Sequence, residues 1–294
     1  MTDRLPTELV LAILQEAAEL SISAGDRATV VSMALTAKFV HKLLRPIMFR
    51  RVVMTSENTK LVGGLLQSDS VATLIRELCI VHAGWHKGQA GAAKLAQIRC
   101  IRGFRHTTES LVKGLPESGR ASLSKVQVWN DQVFPVPPSV THVCLLFDGI
   151  CAPSPIIVAA WISTVPSLTH VGCEFVARRE MSSWDTTAEP EKIAAGMRDA
   201  IAAGGQQLVE LAVRLCGNVS DDHWESLLVA LRTISIANQD MHLGRRLRIW
   251  RDERVLYDLD EDLKISADDA LAGVDVWSEA RTFDELYNMR RMGA

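Results

Sequence analysis

The chain has 294 residues, 48% of them apolar and 23% charged, with a formal net charge of −3. That composition describes a folded chain, since a disordered one carries fewer apolar groups and more unbalanced charge. A near-neutral balance argues against nucleic acid as the partner, and no apolar run approaches the roughly 20 residues that span a bilayer.

The chain opens on an amphipathic stretch. Leu5, Leu9, Ile13 and Ala17 recur every four residues, and Val10 and Leu14 widen the stripe, so a first helix is expected. Pro6 suits a first turn, where its missing N–H has no partner to lose, and Glu8 adds negative charge there. A second helix is expected after Asp26, a good N-cap, carrying Val30, Val31, Met33 and Ala34. A third begins near Thr36 and carries Phe39, Val40, Leu43 and Leu44, with Pro46 as its stop. Residues 47–54 then turn strand-like. Three short helices bury little surface by themselves, so a partner or the next domain must complete their core.

Leu5-Pro6-x-Glu8-Leu9, then Ile13-Leu14, then Ala34-Leu35-Thr36-Ala37-Lys38-Phe39, resembles the F-box of fungal F-box-like proteins. The run Leu43-Leu44-Arg45-Pro46-Ile47-Met48-Phe49-Arg50-Arg51-Val52-Val53 is similar to the hinge those proteins place before their second domain. The resemblance covers the first fifth of the chain in detail and the rest only in layout. It implies docking on the Skp-type adaptor of a Skp–cullin–F-box ubiquitin ligase, with the remainder choosing a target protein. Leu5, Pro6, Leu9 and Ile13 match the family's docking positions; Val31, Leu35 and Phe39 match its second and third helices. One departure is visible: residues 15–29 exceed the usual short link between the first two helices.

Beyond residue 60, apolar residues recur at i, i+3 and i+5. The copies are Ile75/Leu78/Ile80, Leu95/Ile98/Cys100, Leu123/Val126/Val128, Val140/Val143/Leu145, Leu168/Val171/Cys173 and Leu208/Leu211/Val213. A looser one is Leu243/Leu247/Ile249. The last two residues of each copy share one face of a short strand, in the manner of leucine-rich repeats. Helix-like stretches at 58–67 (with a Gly63-Gly64 break), 107–115, 155–164, 191–203 and 221–236 lie between them, which favours parallel strands joined by helical crossovers. Residues 115–122 and 178–190 read as polar loops. The acidic stretch 252–269 and a helix-like 276–289 read as a cap on the open end of the stack.

The fold class expected is therefore α/β. An F-box-like three-helix head (residues 1–54) precedes an irregular leucine-rich-repeat-like body (55–294) capped from about residue 252. If the apolar pair of each copy points inward, its neighbours form an outward row. Trp129, Glu174, Arg214, Arg248 and Trp250 from that row are the expected target contacts, because exposed Trp and Arg make strong anchors. The alternative is that helices cover this face and make Trp129 and Trp250 core residues.

Enzyme readings find little support. There is no G-x-S-x-G elbow, P-loop, G-x-G-x-x-G turn or H-E-x-x-H helix. His82 and His86 are four apart but flank a loop-like Ala83-Gly84-Trp85 with no nearby acidic ligand, so no metal is expected. His142 and His170 fill the same slot of two copies. The six cysteines form no C-x-x-C pair and read as buried free thiols of an intracellular protein, cytoplasmic or nuclear. No catalytic residue, cofactor, nucleic acid or membrane partner is expected. An interaction scaffold with a vestigial head, or an enzyme with an unrecognised site, remain as alternatives.

Overall fold

The computed structural model describes residues 6–24, 26–81, 92–129, 133–148, 153–176, 189–217, 219–254, 268–286 and 288. Leu5, His82, His86 and Cys151 lie outside the described residues.

Three helices come first: α1 (Thr7–Ser23), α2 (Arg27–Leu35) and α3 (Lys38–Met48). Asp26 caps α2 as expected, its carboxylate accepting from the Thr29 N–H at 3.1 Å. The long stretch 15–29 is mostly helix, because α1 continues to Ser23 and leaves only a short link. Pro46 does not stop α3. It sits inside the last turn, where one lost hydrogen bond is tolerated and Phe49 N–H still reaches the Arg45 carbonyl. Ala18, Ile22, Val30, Ala34, Val40, Leu44 and Ile47 form a small separate core.

From Arg51 the chain enters a nine-stranded sheet whose strands lie in sequence order. They are β1 (Arg51–Met54), β2 (Glu77–Ile80), β3 (Cys100–Phe104), β4 (Lys125–Trp129), β5 (His142–Asp148), β6 (His170–Val176), β7 (Glu210–Cys216), β8 (Leu247–Asp252) and β9 (Arg281–Thr282). All neighbours are parallel except β9, which runs against β8. The sheet thus begins before residue 55. The crossovers carry α4 (Thr59–Gln67), α5 (Asp69–Ala72), α6 (Arg105–Gly114), α7 (Glu117–Ser122), α8 (Pro155–Thr164), α9 (Pro190–Gly204), α10 (Asp221–Ala237) and α11 (Leu243–Arg246). Residues 115–122, read as a polar loop, contain α7.

Between β4 and β5 there is no helix in the described residues. Phe134 fills the space instead, meeting Trp161 of α8 edge-on at 5.5 Å. The repeat is also written in the backbone. The carbonyls of Arg50, Arg76, Arg99, Ser124, Thr141 and Thr169 each accept two N–H groups from the start of the next unit.

The register corrects the sequence pattern at two places. Val52, Leu78, Ile101, Val126, Val143, Val171, Leu211 and Leu247 stand side by side, so Val52/Met54 is a further copy and the second is Ile98/Ile101/Gly103. The spacings become 26, 23, 25, 17, 28, 40 and 36 residues, so the first three units are nearly regular. Gly103 hid its copy because α6 begins directly after β3. A Cβ at Gly103 would stand 3.0 Å from the Ile80 carbonyl and 3.4 Å from the Thr108 hydroxyl. The inward residues and the helices enclose one continuous apolar core from Val52 to Phe283.

The C-terminal segment departs most from expectation. In place of one helix over 276–289 there is a short α12 (Val276–Glu279), then β9, with helix again at 283–286. Rather than only closing the end of the stack, residues 269–282 run across the face that carries no crossover helix among the described residues (the helix-free face).

Candidate functional site

Two surfaces carry the expected functional residues. On the head, Pro6, Leu9, Ile13, Val31, Leu35 and Phe39 are all exposed, Leu35 at 80% and Phe39 at 58%. Val10 and Leu20 join them, and sequence reading had assigned Leu20 no role. Seven of the twelve exposed large apolar side chains among the described residues therefore lie within the first 39 positions. In the first half of α1 only Leu11 and Leu14 are partly covered, Leu14 against the small head core. Burial of Leu5, Pro6 and Leu9 against residues 47–80 would have marked the head as a structural part of the body; Pro6 and Leu9 are exposed, and Leu5 lies outside the described residues.

The head is nonetheless fixed to the sheet. Arg50 makes a two-pronged ion pair with Glu19 of α1 at 2.7 and 2.9 Å. Arg27 of α2 donates to the Arg51 carbonyl at 2.6 Å, and Arg45 of α3 donates to the Ser70 hydroxyl at 2.8 Å.

The second surface is the helix-free face. Trp129, Glu174, Arg214 and Trp250 do fall in one row, and Arg248 in the row beside it, as the alternation of the strands requires. That row is not open. Arg51 of β1 donates to the carbonyls of Leu271 and Ala272, and Arg102 of β3 to that of Val274 at 3.5 Å. Lys125 of β4 pairs with Asp275, and Arg248 of β8 donates to the Ala280 carbonyl at 3.4 Å. Residues 270–282 thus cross the sheet from β1 to β8. Ala270 packs with Val53, Cys79 and Val81, while Val276 and Ala280 pack with Cys144, Leu146 and Ala212.

The expected contact residues are engaged beneath this strap. Glu174 and Arg214 are 3% and 4% exposed. Arg214 holds Glu174 at 3.0 Å, Asp269 at 2.9 Å and Asp252, while Arg254 binds Asp252 and Asp269 from the other side. Gln127 donates to Glu174 at 2.9 Å. Burial alone would raise the Asp252 carboxyl, but the bonds from Arg254 and the charge of Arg214 hold it well below the usual carboxylate range. Trp250 lies under the Arg214 guanidinium at 4.1 Å, Trp129 packs on Phe104 at 4.9 Å, and Arg248 pairs with Glu210 at 2.7 Å. The face is covered, as the alternative reading held, but by the C-terminal segment instead of helices.

His142 and His170, matched in slot, stack at 4.1 Å with rings 10° apart. Each ring Nδ1 meets the hydroxyl of the preceding threonine at 2.8 Å, and the His142 ring meets Trp277 edge-on at 5.2 Å. Cys144 faces the strap, its thiol donating to Glu174 at 3.2 Å, and Cys173 faces the main core. Burial pushes the Cys79 thiol up to about 12 and that of Cys100 up to about 11. Among the described residues no group of three or more His, Cys, Asp or Glu side chains is placed to hold a metal, and no helix is long and apolar enough to cross a membrane.

An open cavity of about 320 Å³ has Arg232, Ser235, His242 and Asp284 on its walls. Among the described residues no hydrogen bond joins Ser235 to His242, or His242 to Asp284. Sequence reading missed Asp252 and Asp269 as partners of Arg214, and Arg254 as the second cation on the same two carboxylates; Asp269 lies 55 residues from Arg214 in the chain. No family model, curated protein or solved structure matches the chain.

Proposed function

We propose that the chain is a non-catalytic, intracellular adaptor. Its F-box-like head docks on the Skp-type adaptor of a cullin–RING ubiquitin ligase, and its leucine-rich-repeat-like body holds a target protein. The observation that carries this reading is the concentration of exposed apolar side chains on the head at the positions where the family resemblance requires them. Fully covering one Val, Leu, Ile or Phe side chain stabilises a complex by roughly 1.5–3 kcal/mol, so Leu9, Ile13, Val31, Leu35 and Phe39 together favour an interface over a neutral surface. The body's part is proximity, bringing target lysines near the transfer machinery carried elsewhere in the assembly.

The test is capture of a Skp-type adaptor by the full chain, beside a Leu35→Ala/Phe39→Ala variant. Exposed residues contribute little to the monomer, so the variant's melting temperature is expected to match the parent's while its affinity falls more than tenfold. Failure of the folded parent to bind the adaptor would remove the ligase reading.

A further inference from the structure

The strap occupies the helix-free face in a way that resembles a seated ligand more than an added layer of core. Its apolar contacts form two small clusters separate from the main core, which Phe283 and Leu286 join at the end of the C-terminal segment. Among the described residues its only ladder contact with the sheet is the two-residue pairing of β9 with β8. Between, side chains reaching up from the strands and the two small clusters hold it. The segment is tethered at Asp269 and again at Phe283, so lifting residues 270–280 would uncover those clusters and leave the main core closed.

The seat is shaped for particular side chains. Lys125 pairs with the Asp275 carboxylate and also lies over the Trp277 ring at 4.8 Å. His142 presents its ring to the same tryptophan. Gly172 makes the trough. Every neighbour in its row carries a side chain, and a Cβ there would stand 2.9 Å from Val276 and 3.1 Å from Trp277. Trp277 Nε1 is buried without a hydrogen-bond partner, so the resident segment does not satisfy the seat fully.

We propose that the helix-free face over β3–β6 is a peptide-binding site, filled in cis by residues 274–279. In trans it takes a peptide in which an acidic residue precedes an apolar residue and a tryptophan. Lys125 receives the carboxylate, the Gly172 trough the apolar residue, and the faces of Lys125 and His142 the indole. Arg102 donates to the backbone carbonyl before the acidic residue. The resident segment competes at the high effective concentration of a tethered ligand, so a target must displace it or find it already loosened. That the ligand belongs to a degradation target rests on the adaptor reading; the seat itself does not.

The experiment titrates a fluorescent peptide with the sequence of residues 274–279 against the full chain and reads anisotropy. The parent is expected to bind weakly. A full-chain Asp275→Ala/Trp277→Ala variant, with the cis ligand weakened, is expected to bind at least tenfold more tightly, and adding Gly172→Val to cancel the gain. A folded double variant that binds no better than the parent, or a gain that survives Gly172→Val, would overturn the proposal. Should the double variant not fold, amide exchange on the parent decides: residues 270–280 exchanging faster than β5 and β6, and faster still with excess peptide, are expected. Equal protection of strap and strands, unchanged by peptide, would overturn it. Peptide binding without capture of a Skp-type adaptor would remove the adaptor reading and leave the seat standing; capture without peptide binding would do the reverse.

Discussion

Arg214 sits among three carboxylates, those of Glu174, Asp252 and Asp269, in a site almost closed to water. Such a cluster is tolerable because its charges balance. Arg254 bonds two of the acids, and buried Arg102 adds a third positive charge in the field of Glu174. Removing one member leaves its partners buried and unpaired, which costs about 3–5 kcal/mol in comparable sites. Arg214→Met is therefore expected to lower stability by that order in urea denaturation, and Arg214→Met with Glu174→Gln to recover part of the loss. The stacked histidines give a second prediction at this scale. Burial, the neighbouring His170 and Lys125 bring His142 down from about 6.5 to about 4, and burial lowers His170 as well. Lys125, Asp275, Glu210 and Arg248 are the charged groups around the pair. With both rings lowered on folding, the unfolded chain binds more protons below pH 6.5, so stability falls as pH falls through that window. A His142→Gln variant is expected to flatten the decline between pH 6.5 and 5, above the range of the carboxylates, read as the urea midpoint against pH.

At the scale of elements, legibility followed local chemistry. The helix-like stretch 155–164 coincides with α8, which Pro155 opens, and 221–236 matches α10 to within one residue, where Ser220 caps the start by accepting from the His223 N–H. The inward strand residues were legible through their own spacing. Where a glycine stood in for an apolar residue, as at Gly103, the register slipped by three residues, since the pattern alone had nothing to correct it. The Gly63-Gly64 pair misled in the opposite direction: α4 runs straight through it. A Cβ at either position meets nothing within 4 Å, and neither glycine has a positive φ. Gly64→Ala is accordingly expected to stabilise the chain by about 0.5–1 kcal/mol through lower unfolded-state entropy, seen as a shift in the denaturation midpoint with an unchanged slope.

For the whole molecule, the strap is what sequence order could not reveal. A stack in which each strand pairs only with its neighbours is close to one-dimensional, and such arrays fray from their ends. Here the last segment returns to the first strand: Arg51 of β1 donates to the Leu271 and Ala272 carbonyls, while Arg248 of β8 donates to that of Ala280. The Arg51 contacts span 220 or so residues of chain and, like that of Arg248, rest on side chains reaching backbone carbonyls, which leave no periodic trace in a sequence. Arg51 also pairs with Glu77 at 3.3 Å, and its carbonyl accepts from Arg27 of the head, so one residue joins head, first strand and last segment. The strap should therefore make the two ends of the stack unfold together. Arg51→Ala is expected to leave the sheet formed but to uncouple β1 and the head from the rest. Urea unfolding followed by circular dichroism, which weighs the head helices heavily, would then precede unfolding followed by fluorescence of Trp161, Trp250 and the other tryptophans, all of which lie beyond β1 in the chain. Coincident transitions in the variant, with the parent's slope retained, would mean that the strand pairing alone supplies the cooperativity.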